Sequence, residues 1–316
     1  MNSVVKSFAS RLQRVMKSQK TMGILSKLLY FVLLFGLAYV ILFPFLVKIT
    51  SSFMSKDDLY DNSVSLVPTK IVFDHYITIL RDTTFFASLL TTLRYSVVVA
   101  SCTVISSTLV GYGLGRYKFK GSKFLFFALI VTLIVPSVTL SIPLFSTFEF
   151  FDPFGLISLF TGSSLTLTNS VISQALLSLT CLGFKGGLFV ILMQQFFRDV
   201  PAELTEAASV DGAGHLKTFF RVILPMARSM MVVVFILSFA WQWTDVFYSR
   251  ILMGSTNLLS NMIRMIPSAS YSSEERYVTH VLANTGVILM IIPLLIVYII
   301  FQRQIVEGIE RSGIVG

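Results

Sequence analysis

Long apolar runs separated by short polar segments set the organisation of this chain. Six runs are long enough to cross a membrane, because a spanning helix needs about 20 mostly apolar residues. They lie at about residues 28–49, 92–115, 124–148, 172–197, 223–248 and 281–302. None alternates apolar and polar residues as the strands of a membrane barrel do, so the runs predict helices. We therefore expect an all-α polytopic membrane protein with six transmembrane helices.

Composition agrees with this pattern. The 316 residues are 54% hydrophobic and 13% charged, and the mean hydropathy is +0.79, which together exclude an ordinary soluble domain. The two cysteines, Cys102 and Cys181, lie inside apolar runs and are predicted to be small buried residues.

The distribution of charge predicts the orientation in the membrane. Residues 1–27 carry six basic side chains and no acid, and four more basic residues crowd into residues 116–123. Segment 50–90 instead holds more acids than bases. Because basic short loops stay in the cytoplasm, we expect both termini on that side. The net charge of +9 is thus a topology signal with some attraction to anionic membrane lipid, and not a nucleic-acid signal. The first run is too long for a cleaved signal peptide and is interpreted as a retained span.

A polar segment at 198–222 interrupts the apolar pattern. It contains Glu206-Ala207-Ala208-Ser209-Val210-Asp211-Gly212 and leads into Val222-Ile223-Leu224-Pro225. Asp199 as a cap and Pro201 in the first turn predict a helix that Gly212 ends. We expect Leu204, Ala207 and Ala208 to form a thin apolar face beside acidic residues. Such a helix fits a groove on a partner better than it fits a membrane surface, where Lys and Arg would be favoured.

This spacing closely resembles the loop by which permease subunits of binding-protein-dependent ABC importers dock onto their ATPase, with Val222 where that family usually has Ile. The passage from Tyr112 to Gly121 and the two around Pro136 and Pro143 resemble the same family. The ending after Phe301 resembles its carbohydrate-uptake branch, at the second maltose-type permease subunit. Near the C-terminus the family usually has Ala and Lys where this chain has Ser312 and Val315, which weakens a tail contact with the ATPase.

The resemblance implies a type I importer permease in a bacterial cytoplasmic membrane. A second, homologous permease would complete the pathway, a dimeric nucleotide-binding ATPase would bind ATP and Mg²⁺, and an extracellular or periplasmic solute-binding protein would deliver a carbohydrate, as an oligosaccharide. It also implies a cytoplasmic N-terminus at 1–27, a first helix and external segment at 28–89, a transmembrane domain at 90–303 and a cytoplasmic tail at 304–316. The docking residues it implies are Glu203, Leu204, Glu206, Ala207, Ala208, Asp211, Gly212, Leu224 and Pro225.

Nothing in the sequence predicts catalysis or a metal site. No segment matches a phosphate-binding loop, and His75, His215 and His280 lie far apart in the sequence. The chain is therefore expected to be a non-catalytic subunit without a cofactor of its own.

Several polar and aromatic residues within the apolar runs are candidates for the solute pathway. Sugars present apolar C–H faces and hydroxyl groups, which aromatic rings beside amides and carboxylates complement. A membrane-interface belt is the alternative for the aromatic cluster. Lys185 faces either a cavity or the outer interface, and Asn284 is more simply a bridge between helices. The candidates are Trp241, Gln242, Trp243, Asp245, Tyr248, Lys185 and Asn284.

Three alternatives remain at this point. An importer permease could carry a non-carbohydrate solute such as a polyol or a glycerophosphodiester. An ion-coupled secondary carrier would show inverted repeats and mid-span acids, which are not found. A membrane-embedded enzyme would need convergent His, Asp or Glu at the ends of spans.

Overall fold

The computed structural model describes residues 2–61, 63–64, 66–262 and 276–313. Most of these residues are helical, with one isolated bridge between Phe151 and Leu165 and no named strand among them. The α-helices are α1 (Asn2–Ser51), α2 (Lys56–Tyr60), α3 (Asp74–Arg81), α4 (Thr83–Arg116), α5 (Ser122–Ile134), α6 (Ser141–Glu149), α7 (Leu156–Thr161), α8 (Val171–Leu179), α9 (Gly186–Asp199), α10 (Ala202–Val210), α11 (His215–Thr218), α12 (Leu224–Met226), α13 (Arg228–Thr244), α14 (Phe247–Leu252), α15 (Leu259–Met262) and α16 (Arg276–Gly313).

Three helices are long and apolar enough to cross a membrane by themselves. They comprise Ser26–Ser51 in α1, Thr84–Arg116 in α4 and Val281–Gln304 in α16. These match the first, second and sixth predicted runs, so hydropathy located them correctly. A membrane accepts such segments because a helix satisfies its own backbone hydrogen bonds.

The third and fifth predicted spans are bent rather than straight. Ser122–Ile134 and Ser137–Glu149 meet at 98°, and the break falls at Pro136, which has no backbone N–H to continue the ladder. Pro143 lies in the first turn of α6, where it is tolerated. His215–Met226 and Arg228–Thr244 meet at 69°. Counting each bent pair as one span gives up to five candidate spans among the described residues.

The prediction of one continuous helix over 172–197 is wrong. Helix α8 ends at Leu179, and α9 begins at Gly186. Between them Cys181 and Lys185 have φ values of 60° and 58°, in the left-handed region that interrupts a right-handed helix. A side chain at Gly186 would lie 2.3 Å from the carbonyl oxygen of Cys181. Glycine at 186 therefore permits a tight break that hydropathy does not reveal.

The described residues form two compact units, one within residues 1–75 and 273–285 and the other within residues 76–272 and 286–316. In the first, Ser55 and Asp58 make reciprocal bonds at the start of α2, and Thr69 donates two hydrogen bonds to the Asp58 carboxylate. His75 contacts the carbonyl oxygen of Met54 at 3.0 Å. The predicted boundaries at 27, 89 and 303 stay predictions, and the end of the predicted tail, 314–316, lies outside the described residues.

In the larger unit, α4 packs against α8, α9 and α13. Glycine makes the contact with α9 possible, because a Cβ on Gly111 would lie 2.6 Å from that of Met193 and one on Gly115 would lie 3.0 Å from the carbonyl oxygen of Gln194. Small residues at such positions let two helices pack closely in a membrane. The core around this contact consists of Val104, Phe189, Met193, Phe197, Val200, Phe219, Ile223, Ala227, Met230, Val233 and Val234.

Candidate functional site

The predicted docking segment forms a short helix, α10, which lacks a side-chain N-cap and is followed by a glycine in the left-handed conformation. Pro201 is its N-cap and supplies no side-chain hydrogen bond. The predicted capping role of Asp199 is wrong, because α9 continues to Asp199 and two extended residues separate it from α10. At the other end Asp211 is the C-cap and Gly212 has a φ of 75°. The prediction that Gly212 ends this helix is confirmed.

Helix α10 presents acidic and small side chains to its surroundings. The exposed predicted docking residues are Glu203, Leu204, Glu206, Ala207, Asp211 and Gly212. Ala208 is instead 8% exposed and turned toward the protein. Successive residues of a helix lie about 100° apart around its axis, so the predicted shared face of Ala207 and Ala208 is divided between surface and core.

The segment after α10 returns the chain to the membrane-spanning region. A single wide turn at Phe219–Ile223 joins α11 to α12. Leu224 is half-buried against the main core, whereas Pro225 is exposed in the first turn of α12. Leu224 and Pro225 therefore belong to the bend that leads into α13.

Arg116, the last residue of α4, contacts the connection between α9 and α10. Its Nη1 donates to the carbonyl oxygen of Val200 at 2.6 Å. Its Nη2 donates to the carbonyl oxygen of Pro201 at 3.5 Å and to the Thr205 hydroxyl at 3.2 Å. One guanidinium thus joins the end of a long helix to both sides of the entry into α10.

Tyr112 contacts the far end of the same segment. Its ring centroid lies 4.6 Å from that of Phe219, 5.3 Å from that of Phe197 and 5.6 Å from that of Tyr117. A cleft of about 500 Å³ opens between α4, α10 and α11, and Tyr112, Arg116, Thr205, Glu206 and His215 are among the residues that line it.

The aromatic cluster at the end of α13 is largely built into the core. Trp243 is fully buried and its Nε1 donates to the carbonyl oxygen of Met290 at 3.1 Å. Gln242 is buried too: its amide donates to Tyr95 Oη at 2.8 Å and accepts from Gln174 at 3.4 Å. Both side chains therefore join α13 to other helices of the larger unit.

Trp241 is the half-buried member of the cluster. Its ring centroid lies 6.0 Å from that of Phe184 and 5.4 Å from that of Phe189. Tyr248 is 6% exposed, and its ring centroid lies 5.8 Å from that of Phe184. Phe184 thus connects Trp241 and Tyr248 at the break before α9.

Asp245 follows α13 and caps α14. Its buried carboxylate accepts hydrogen bonds from the backbone N–H groups of Phe247, Tyr248 and Ser249, the last at 2.8 Å. These donors are the unpaired groups at the start of a helix, which an Asp side chain normally satisfies. The Asp245 carboxylate is therefore hydrogen-bonded within the chain and stabilises the start of α14.

Lys185 lies at the break in the fourth apolar run, next to a cavity of about 420 Å³. The side chain is exposed, and its Nζ lies 5.8 Å from the Phe184 ring centroid. Of the described residues that line the cavity, Lys185 alone is charged; the others come from α5, α6, α8, the turns that follow α5 and α8, Gly186 and Tyr248.

Asn284 bridges helices within the smaller unit. Its side-chain oxygen accepts from Lys48 Nζ at 2.8 Å, and its amide nitrogen donates to Ser51 Oγ at 3.4 Å. The interpretation of Asn284 as a packing residue matches these contacts.

Sequence reasoning missed Arg116, Tyr95 and Gln174 as site residues. Arg116 carried a signal, because it lies in the passage whose resemblance to the importer family was noted. Tyr95 and Gln174 carried only the general signal of polar side chains in apolar runs, which fits packing as well as function.

The sequence is similar to those of known transport proteins. Residues 107–311 match the family model described as binding-protein-dependent transport system inner membrane component. The chain is 25% identical to the arabinooligosaccharides transport system permease protein AraQ of Halalkalibacterium halodurans, over 94% of this chain and 99% of that protein. It is 26% identical to the maltodextrin transport system permease protein MdxG of Bacillus subtilis, over 94% and 99%.

Among solved structures, one crystal structure of a bacterial ABC transporter involved in the import of the acidic polysaccharide alginate is similar. The TM-score is 0.68 at 22% identity, covering 90% of this chain and 97% of that one. A second alginate transporter structure, in complex with its alginate pentasaccharide-bound periplasmic protein, has a TM-score of 0.64 at 16% identity. At this identity the likeness shows that the chains share a fold.

Proposed function

Because the chain belongs to the family of binding-protein-dependent transport system inner membrane components, we propose that it is a permease subunit of an ATP-driven importer of carbohydrates. With a second, homologous permease it would form the pathway for an oligosaccharide across a bacterial cytoplasmic membrane. The observation that carries this proposal is α10, a short helix that exposes Glu203, Glu206 and Ala207 outside the long apolar helices.

Helix α10 is proposed as the docking element for the ATPase. A thin helix surface with Ala207 at its centre can enter a groove on a partner, and Glu206 can bind a basic side chain or a backbone N–H there. Leu204, Asp211 and Gly212 extend the exposed surface around it. The other three predicted docking residues would support α10 without contacting the partner. Ala208 packs against the protein. Leu224 and Pro225 belong to the bend that follows α11.

The partner would supply the energy, and this chain would convert it into movement. ATP and Mg²⁺ would bind in the nucleotide-binding dimer, whose closure would pull on α10. The spanning helices would then rock from an inward-open to an outward-open arrangement, and an external binding protein would deliver the solute. The chain itself is a non-catalytic subunit, as a membrane component of such a system is.

Six spans with both termini in the cytoplasm are the proposed topology. Helices α8 and α9 together would form the fourth span despite their break, and each bent pair would form one span. This arrangement places α10 and the basic residues around Arg116 on the cytoplasmic side, in agreement with the charge rule.

Similar permeases support the carbohydrate assignment. Their names refer to arabinooligosaccharides and maltodextrin, and the relatives align over nearly their whole length. In this chain Trp241 supplies a half-buried aromatic surface of the kind that sugar rings stack on. The buried Trp243, Gln242, Asp245 and Tyr248 would shape that surface from behind.

Lys185 favours a second candidate solute, one that carries an anionic group. Helix α9 rises about 1.5 Å per residue, so Lys185 lies about 20 Å from its cytoplasmic end, well within the depth of a bilayer. A charge at that depth normally faces a cavity or a partner. An acidic sugar or a glycerophosphodiester would provide the opposite charge.

Purification from the native membrane tests the proposal. The tagged chain, extracted in mild detergent, should bring with it a second permease and a nucleotide-binding subunit, identified by mass spectrometry. Reconstituted vesicles should take up oligosaccharide only when ATP and the binding protein are present. A chain that emerges alone and transports without ATP would instead be a secondary carrier.

A further inference from the structure

We propose that the cytoplasmic end of α4 acts as a clamp on both ends of the α10 segment and passes the movement of α10 to the spanning helices. In this clamp Arg116 is a positioning residue at the entry and Tyr112 is its counterpart at the exit. The proposal rests on the docking function of α10. It adds the route by which a movement of α10 reaches the spanning helices.

At the entry into α10, the Arg116 guanidinium donates hydrogen bonds to three acceptors. Arg116 reaches Val200, Pro201 and Thr205, so its guanidinium joins the connection between α9 and α10 to the first turn of α10 itself. A guanidinium is planar and presents several donors in fixed directions, so it holds such a set more firmly than a single-point ammonium does. Its positive charge also lies at the C-terminal end of α9, where the helix dipole favours a cation.

A cleft lies between α10 and the end of α4, and the Arg116 contact crosses it. Its volume is about 500 Å³, and both Arg116 and Thr205 line it. The hydrogen bond between these two side chains joins the two walls of the cleft. Thr205 also donates to the carbonyl oxygen of Ala202 at 2.7 Å, which fixes its hydroxyl to the helix it belongs to.

The exit contact lies one helical turn away on α4. Residues 112 and 116 are four apart and share a face of the helix. The Tyr112 ring packs against Phe197 of α9 and against Phe219 at the start of the wide turn. The segment from Val200 to Phe219, which includes α10, is therefore held at both ends by neighbouring side chains of α4.

From the clamp, the displacement would pass on through a rigid pair of helices. Helices α4 and α9 touch backbone to backbone at Gly111 and Gly115, and Gln194 donates to the carbonyl oxygen of Leu114 at 3.3 Å. Such close contacts leave little room for the two helices to slide separately. A pull on α10 would thus move α4 and α9 as one body.

Hydrogen exchange of the full-length chain in lipid nanodiscs tests the contact itself. Arg116→Gln keeps most of the side-chain length but loses the charge and most donors, and Arg116→Lys keeps the charge with a compact donor. We expect amides 202–210 to exchange at least threefold faster in Arg116→Gln and to recover partly in Arg116→Lys. Lys118→Gln, an exposed basic neighbour, is the matched control. Equal exchange in all four proteins would overturn the clamp.

Transport per ATP hydrolysed tests what the contact does. In the reconstituted complex, Arg116→Gln should still retain the ATPase subunit but lower solute uptake per ATP about tenfold, with Arg116→Lys in between. Thr205→Val, which removes one acceptor and keeps the shape, should lower it two- to threefold. Uptake per ATP equal to wild type in Arg116→Gln would refute force transmission through this residue, and so would loss of the ATPase subunit from that variant, since Arg116 would then act in docking.

The two arms separate failure of the clamp from failure of the proposed function. If the wild-type chain shows no ATP-driven uptake, the importer assignment fails, and with it the role of the clamp in transport. The exchange arm needs neither ATP nor a solute, so it decides the contact between Arg116 and α10 in either case.

Discussion

The side-chain amide of Gln242 donates a hydrogen bond of 2.8 Å to the hydroxyl oxygen of Tyr95. Both side chains are buried, so this bond joins α13 to α4 inside the larger unit. Gln174 extends the contact to α8 through its bond of 3.4 Å to Gln242. A short chain of polar groups thus connects three helices of the larger unit.

Tyr95→Phe should lower the free energy of unfolding by about 1 kcal/mol, because it removes the hydrogen-bond acceptor of a buried amide N–H. Thermal unfolding of the detergent-solubilised chain would show a lower midpoint. Tyr298→Phe removes the same hydroxyl from an exposed position on α16 and should leave the midpoint unchanged. Equal midpoints for both variants would mean that the Gln242–Tyr95 bond adds nothing to stability.

Glu206→Lys should abolish ATP-driven uptake while the chain stays in the membrane in normal amount. The side chain is exposed at the middle of α10, so reversing its charge disturbs a partner rather than this fold. Glu206→Gln, which keeps hydrogen-bonding capacity, should retain part of the activity. Lys118→Glu reverses an exposed charge outside α10 and should transport normally. Wild-type uptake by Glu206→Lys would remove α10 from the docking role.

Substitutions of the two alanines at the centre of α10 distinguish a role in docking from a role in folding. Ala207 is exposed and Ala208 is 8% exposed. Ala207→Leu should weaken retention of the ATPase subunit and leave thermal stability unchanged. Ala208→Leu should instead lower stability by about 1–3 kcal/mol, because it overfills a packed position. The measurements are co-purification and thermal unfolding of each variant, and an identical pair of results for the two variants would contradict this division.

Sequence patterns located the long helices because each is a single uninterrupted apolar run. The break between α8 and α9 escaped them, since Gly183, Gly186 and Lys185 interrupt an apolar run only briefly and the interruption depends on backbone conformation. The division between Ala207 and Ala208 escaped them for a different reason. Both residues are small and apolar, so only packing decides which one is buried.

The segment that contains α10 was predictable because its residue types and spacing form a motif. The contact of Arg116 was not, since two of its three acceptors are backbone carbonyl groups, which every residue has. The caps show the same limit. Asp199 had the right side chain for an N-cap, but α9 extends through it and leaves Pro201 in that position.

The segment that follows α1 should open in acid, and the pKa of the Asp58 carboxyl sets the pH range of this opening. The side-chain hydrogen bond from Thr69 holds the pKa of the Asp58 carboxyl below its ordinary value, with smaller contributions from Ser55. Because the pKa is lower in the folded state, ionised Asp58 stabilises the fold above about pH 4, the pKa of an Asp in the unfolded chain. This stabilisation is lost as the pH falls through the pKa of Asp58 in the folded state.

Thr69→Val should therefore raise the Asp58 pKa and make this segment open at higher pH than in the wild type. Thr69→Ser keeps the donor and should behave as the wild type does. Brief pepsin digestion between about pH 5 and pH 2 would report the opening as cleavage within residues 56–72. Cleavage with the same pH dependence in Thr69→Val and the wild type would show that the Thr69 bond does not control the Asp58 carboxyl.

Trp241 and Trp243 allow solute contact to be separated from packing with two neighbouring residues of one type. Trp243→Ala empties a fully buried site and removes a hydrogen-bond donor, so it should cost about 3–5 kcal/mol of stability and lower the amount of folded chain. Trp241→Ala removes a half-buried ring that packs on Phe184 and Phe189, and should cost less.

If Trp241 contacts the solute, Trp241→Ala should raise the oligosaccharide concentration for half-maximal uptake several-fold while basal ATP hydrolysis stays at the wild-type rate. Trp241→Phe keeps an aromatic surface and should restore most of the affinity, because stacking on a sugar face needs a ring rather than an indole N–H. Uptake in vesicles across a concentration series, with ATP hydrolysis measured in parallel, gives both quantities. Unchanged half-maximal concentrations in Trp241→Ala would assign the ring to helix packing alone, because a ring that touches the moving solute cannot be removed without changing its binding.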